Sequence, residues 1–349
     1  VESNEKSVPE LFVGLSGQGT IYSDQTDTFT QLSGQEVDIL FVIDDSGSMC
    51  GEQDTLIANF EQFIQHADVW DNDYHIGVVS TGLSYDHLIG KLNFGNIRTT
   101  PRYITPGPNA KSQFADLANL GCDGDNSEGA LQNAQGALSA PLITDTGVSC
   151  SNDDSCKSDP NICADSASCP FLCLDSTCGG FNKGFLRPDA QLEIIAMSDE
   201  EDQSSGDLGF YIDFLRSLKG FYNQNMMHFN AIVGVDDGTL TDEAGNPYPG
   251  CLGTEGSGAA EGKRYIETVH ATNGKLGSIC DPNYKDILNQ IGSVAFGLKQ
   301  QFFLSRIADP NSITVKVREI DVTEGWEYDA PSNSIVFDPE SPNMPQEGD

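Results

Sequence analysis

The chain has 349 residues, enough for one large hydrophobic core and a smaller appendage. Lys and Arg total 18 against 53 Asp and Glu, a formal charge of −35; repulsion at every approach excludes nucleic acid and anionic membrane as partners, and cations are the natural counterions. The 38% apolar residues cluster in periodic segments, which excludes global disorder, and no run of about twenty apolar residues suits a bilayer span.

Residues 1–35 mix Gly, Ser, Thr and Asp with short apolar groups and read as an N-terminal arm. "ILFVI" (39–43) is an apolar run suited to a strand covered on both faces. Leu56, Ile57, Phe60, Phe63, Ile64 and Ala67 then repeat at helical spacing, predicting a helix over 52–68. "HIGVVS" (75–80) is a second strand, and 84–112, rich in Gly, Pro and Asn, is expected to cross the surface in loops. Ala130, Leu131, Ala134, Ala137 and Leu138 mark a helical face ended by Pro141. Strands follow at 192–198 and 229–235, and helices around Leu208–Leu218, 259–271 and 283–298. This alternation predicts an α/β fold: an open, mostly parallel sheet over 36–300 with helices on both faces. From 301 to 338 short alternating segments predict a small C-terminal β region, and 339–349 reads as a tail.

Ten cysteines, six of them between Cys150 and Cys178, imply an oxidising compartment and mainly disulfides. A structural zinc site is the weaker reading, because the spacings fit no zinc pattern and the cluster lacks His. The disulfide-rich insertion over 145–183 has too few apolar residues for its own core; it reads either as a rigid decoration or as a recognition surface near the metal-bearing face proposed below. Cys50 with Cys122, and Cys251 with Cys280, are expected pairs. An exported chain is expected, secreted or on the extracellular cell surface, with outer-membrane anchoring or a periplasmic place left open.

Ligands of open α/β sheets bind beyond the carboxyl ends of the strands. Asp44, Ser46 and Ser48 follow the first strand, Asp199 follows 192–198, and the acidic loop "CDGDNSEG" (122–129) precedes a helix. Such oxygen donors suit Mg²⁺, Mn²⁺ or Ca²⁺ rather than softer metals. A plain Asx or Ser turn is the bland reading of "DDSGS", but crowded like charges favour a cation. Calcium held by "DEED" (199–202) or "DDGTLTDE" (236–243) is a further option, although neither has EF-hand spacing. The five histidines have no metal-like spacing, and neither a nucleophile elbow nor a P-loop is present.

"DDSGS" resembles the D-x-S-x-S metal-ion-dependent adhesion site of von Willebrand factor type A domains, and "SDE" at 198–200 resembles that site's later aspartate. The likeness covers roughly 36–300 and is strongest to exported bacterial members. It implies Ser46 and Ser48 as direct metal ligands, with Asp44 and Asp199 binding directly or through water. The family normally supplies a middle-loop threonine, yet no threonine stands between Thr105 and Thr144. Asp125 is the substitute expected from its position, Asp123 is nearly as good, and Glu128 reads as a first-turn acid at a helix N-terminus. The resemblance implies a cation-dependent adhesion or protein-binding module, not an enzyme. Its expected partner offers a carboxylate and belongs to a host, prey or neighbouring cell surface; the oligomeric state is open. A structural part of an envelope or appendage assembly is the alternative, and a metal-dependent hydrolase a weaker third.

Overall fold

Apolar runs such as Ile39–Ile43 need cover on both faces, and the computed structural model gives it to them. It describes residues 25–31, 35–84, 89–92, 101–124, 126–220, 224, 226–242, 245–253, 258–331, 333–338, 341–346 and 348–349. In chain order the α/β part runs β1 (Glu36–Ile43), α1 (Cys50–Trp70), β2 (Asp73–Ser80), α2 (Ala110–Ala118) and α3 (Ala130–Ala137). After β3 (Asp145–Ser149), α4 (Asp153–Lys157), β4 (Leu172–Leu174) and β5 (Thr177–Gly179) come β6 (Gln191–Ser198), α5 (Leu208–Ser217) and β7 (Met227–Val233). Then follow β8 (Gly250–Leu252), β9 (Gly258–Ala260), α6 (Lys263–Ala271), β10 (Leu276–Ser278) and α7 (Lys285–Ala295).

The central sheet is parallel, in the order β10-β7-β6-β1-β2. Strand alternation divides the core. Val37, Ile39, Phe41 and Ile43 face α1, α2 and α7, where Phe41 meets Phe60, Phe63 and Phe114. Leu40 and Val42 face α3, α5 and α6, with Tyr211, Leu215, Tyr265 and Val269. The chain leaves β1 for β2 on one side and returns as β6 on the other, so β1/β6 is the switch point at which open sheets bind ligands.

Several boundaries differ from the expectation. The helix expected over 259–271 starts only at Lys263, because Gly258–Ala260 pairs with Gly250–Leu252. Helix α2 and strand β10 were not expected: "AKSQFADLA" is short within a loop-like region, and "LGS" has three residues of weak strand character.

The cysteine-rich insertion forms the antiparallel sheet β3-β5-β4, stapled by Cys150–Cys173, Cys156–Cys178 and Cys163–Cys169. It leaves the C-terminal end of α3 and re-enters the sheet at the start of β6, at the rim opposite the C-terminal strand ends. The expected option of a recognition surface near the metal-bearing face is therefore corrected. Topology dictates this: in a parallel sheet, every helix-to-strand connection lies at the strands' N-terminal rim.

At that rim Asp38 is fully buried and ringed by cations. Arg187 Nε donates to its Oδ1 (2.8 Å) and the Arg187 N–H to its Oδ2 (2.7 Å), while Lys219 Nζ lies 3.8 Å away and donates to the Arg187 carbonyl (2.7 Å). Burial still pushes the Asp38 carboxyl upward and the Lys219 amine downward.

The C-terminal region holds β11 (Gln301–Phe303), β12 (Val315–Val317), β13 (Ile320–Val322), β14 (Trp326–Asp329) and β15 (Ser334–Phe337), as an antiparallel β11-β15-β14 sheet and a β12-β13 hairpin. Residues near both chain ends pack here. Phe29 meets Phe302 with ring centroids 5.4 Å apart, Gln31 exchanges backbone bonds with Asp349 and Gly348, and Met344 joins the small core. The segment read as a tail is thus tied down where it is described.

The ion network gives a direct prediction. Asp38→Ala leaves Arg187 and Lys219 without their buried anion and should cost about 3–5 kcal/mol, read as a lower urea midpoint. A loss within about 0.5 kcal/mol, the range of an ordinary surface substitution, would show that the network contributes nothing net.

Candidate metal centre

The register of the sheet brings the sequence-selected loops together. Ile43 lies beside Met197 on one side and Ser80 on the other, so Asp44, Ser198 and Thr81 emerge side by side. The Asp44 N–H donates to the Met197 carbonyl (2.9 Å) and the Thr81 N–H to the Ile43 carbonyl (3.1 Å). The strands thereby fix the loop roots before any side chain acts.

Asp44 is fully buried, and both its oxygens are engaged: Oδ1 accepts the Ser46 N–H (2.7 Å) and Oδ2 the Ser198 hydroxyl (2.6 Å). Ser46 Oγ and Ser48 Oγ lie 3.4 Å apart. Asp199 bonds Ser48, and its Oδ1 is buried with no partner. Four of the sequence-selected residues, Asp44, Ser46, Ser48 and Asp199, therefore form one group.

The middle loop differs from the expectation. Asp125 lies outside the described residues. Asp123 is exposed and has no contact with that group; it lines a neighbouring cavity of about 320 Å³ with Cys50, Gln53 and Asp54. Glu128 turns inward instead. It is fully buried, its Oε2 accepts the Thr81 hydroxyl, and its Oε1 has no partner. Reading Glu128 as a first-turn helix acid misplaced it: Glu128 bridges to Gly82 beyond the end of β2, before α3 begins. The signal lay in its position between the loop and the first buried turn of α3.

Gln53 and Ser198 also escaped sequence reading. Gln53 Nε2 donates to the carbonyls of Asp44 (2.8 Å) and Gly121 (2.9 Å), and its Oε1 accepts the Gly121 N–H (3.2 Å). It joins the first and middle loops, as does the Cys50–Cys122 disulfide. Gly124 donates to the Asp45 carbonyl (2.9 Å), and a Cβ there would stand 2.3 Å from Asp45 Cγ, so only glycine permits this approach. Cys251–Cys280 is also formed and ties β8 to the end of β10.

The rest of "DEED" is structural. Glu201 accepts the N–H groups of Lys263 and Arg264 at the start of α6. Asp202 accepts the Leu131 N–H at the start of α3 and pairs with Arg264 Nε (2.9 Å). In 236–242, Asp236, Asp237 and Asp242 close Asx-type turns. These bonds leave Glu201 and Asp202 no free part in a second calcium site.

Electrostatically the group is strained. Burial, with Asp44 next, pushes the Glu128 carboxyl up to about 9; burial, offset by Ser48 and reinforced by Asp44 and Glu200, pushes Asp199 up to about 6. Burial and Asp44 also raise Glu200.

Whether these residues fit a divalent ion can be tested on their geometry. The orphaned oxygens of Glu128 and Asp199 and the paired serine hydroxyls are the hard donors that Mg²⁺ or Ca²⁺ takes. Among the described residues no three carboxylate oxygens lie within 4.8 Å of one another. Opposite ligands of Mg²⁺ stand about 4.2 Å apart, so at most two of Asp44, Glu128 and Asp199 could bind directly. Among the described residues the compact ligand-like group is Cys150, Cys156 and Cys178, and its sulfurs are consumed in disulfides, which removes the zinc reading there.

The raised carboxyls fix a pH dependence for divalent-free protein. Both folded values lie above the ordinary 3.8 and 4.5, so the stability held by the protonated forms is complete below those values. It drains as pH rises through about 6 for Asp199 and about 9 for Glu128. In EDTA the melting temperature should fall across this window, and Glu128→Gln should flatten the upper part. An unchanged slope in Glu128→Gln would remove Glu128 as the source.

No family model matches the chain, and no curated protein matches it. Among solved structures, 109 chains match. Proximal thread matrix protein 1 from the mussel byssus is 11% identical over 76% of this chain and 49% of that one, with a TM-score of 0.36. An aerotolerance-related membrane protein from Bacteroides fragilis is 12% identical over 74% of this chain and 99% of that one, with a TM-score of 0.34. BatB, a conserved hypothetical protein from Bacteroides thetaiotaomicron, is 12% identical over 74% and 96% respectively, with a TM-score of 0.33. The match spans about half the length of the mussel protein. Likeness at this level concerns the general α/β fold and carries no argument about ligand or activity.

Proposed function

We propose that this protein is a divalent-cation-dependent protein-binding module acting in an oxidising, extracytoplasmic setting, and that it is not an enzyme. The observation that carries the reading is that two buried carboxylates at the C-terminal strand edge, Glu128 bonded to Thr81 and Asp199 bonded to Ser48, each keep one oxygen, Oε1 and Oδ1, without a partner. Buried charged oxygens without partners are costly, and a small hard cation offsets that cost. Ser46 Oγ, Ser48 Oγ, Asp199 and Glu128 would hold the ion, with Asp44 orienting the Ser46 backbone and Ser198. A bound Mg²⁺, Mn²⁺ or Ca²⁺ would supply a Lewis-acidic position for an oxygen donor from another molecule.

The setting rests on five disulfides and no free cysteine among the described residues. Among the same residues no helix is long and apolar enough to cross a membrane. Two disulfides brace the loops at the rim, which suits a preformed binding face: stiff loops lose little entropy on capture. A structural role in an envelope or appendage assembly is the second reading, favoured by the separate C-terminal β core.

Calorimetric titration with Mg²⁺, Mn²⁺ and Ca²⁺ tests the site. Wild type should bind one ion, and Ser46→Ala/Ser48→Ala should weaken it by at least about tenfold, the scale of a lost ligand pair. Equal affinity in both proteins would remove the serines from the ligand set. Partner capture that survives EDTA undiminished would favour the assembly role.

A further inference from the structure

Resting on the cation-site reading above, we propose that the rim takes a basic segment of a partner protein and rejects the carboxylate that the sequence motif suggests. The argument is one of charge and placement. Asp44, Glu128, Asp199 and Glu200 surround the site, and none enters an ion pair among the described residues. One divalent cation offsets two charges, while Asp44, Asp199 and Glu200 alone carry three, which leaves the rim anionic.

The two bases at the start of α6, which Glu201 caps, are already committed: Arg264 to Asp202 (2.9 Å) and Lys263 to Glu261 (3.5 Å). Outward of the group the charge grows more negative still, because the cavity of about 320 Å³ beside the Cys50–Cys122 bridge is lined by Asp54 and Asp123 with no Lys, Arg or His. An incoming carboxylate would meet this field with only a half-compensated ion to attract it. Lys or Arg side chains of such a segment, one against Glu200 and another at the cavity lined by Asp54 and Asp123, remove the surplus, while a backbone carbonyl or hydroxyl of the same segment supplies the oxygen for the ion.

The test uses the full chain with two fluorescent peptides of equal length, one built on Lys and Ser and one on Glu and Ser, at near-physiological salt with Mg²⁺ or with EDTA. Because the whole protein is strongly anionic, the comparison is between two variants of equal net charge. Asp123→Asn/Glu200→Gln alters the rim, and Asp213→Asn/Glu327→Gln removes two exposed acids elsewhere. The Lys peptide should bind wild type with Mg²⁺ present, lose at least about tenfold in the rim variant and stay within about twofold in the distal one. The Glu peptide should show no binding to wild type. Glu-peptide binding as tight as Lys-peptide binding overturns the proposal, and so does an equal loss in both variants, which would reduce the effect to overall charge. Mg²⁺ titration of the same samples separates the two readings: if wild type takes no ion, the cation site fails, and the rim-against-distal comparison in EDTA still decides the basic partner.

Discussion

Mutual repulsion of carboxylates at the C-terminal edge of a parallel sheet is the constraint around which this molecule is arranged. Asp44, Asp199 and Glu128 are held where water cannot solvate them well, and Asp44 adds to the burden on both of the others. Such a group would spread apart on flexible loops. Here adjacent strands fix its roots, and Gln53, the Gly124 contact and the Cys50–Cys122 bridge hold the first and middle loops together. The remaining acids of the Asp199 loop brace its other side, because Glu201 and Asp202 satisfy helix N-termini that would otherwise lack acceptors. The same run of four acids thus supplies both the strained group and part of the frame around it.

Much of this was legible in the residues. The strands β1, β2, β6 and β7 declared themselves because buried parallel strands are continuous apolar runs, and the acids after β1 and β6 pointed to the edge where Asp44 and Asp199 come together. Both rim disulfides formed as expected, Cys50–Cys122 from the place of the two cysteines at the predicted metal edge and Cys251–Cys280 as the remaining pair. Other features could not be read so directly. Glu128 is chemically indistinguishable in sequence from a solvated first-turn glutamate; only its place beside Thr81 reveals the inward side chain. Gln53 looks like an ordinary polar position on an amphipathic helix until the Gly121 loop comes back to it. Of the two readings of the insertion, recognition near the metal-bearing face fails and rigid decoration stands, because a helix-to-strand connection lies at the N-terminal rim.

The two rims of the sheet show opposite treatments of buried charge. At the N-terminal rim Asp38 meets Arg187 and Lys219, and the network ties the end of the insertion to the starts of β1 and β2. At the C-terminal rim Asp44 and Glu128 have serine and threonine hydroxyls and, among the described residues, no ion pair. A fold that can bury Asp38 with its counterions could have balanced the other rim in the same way, with one lysine in the middle loop. Local violations of good packing chemistry concentrate where a protein binds something. The contrast inside one sheet is therefore stronger support for an external cation than the acid count alone, since the acid count describes the whole surface and the contrast belongs to these residues.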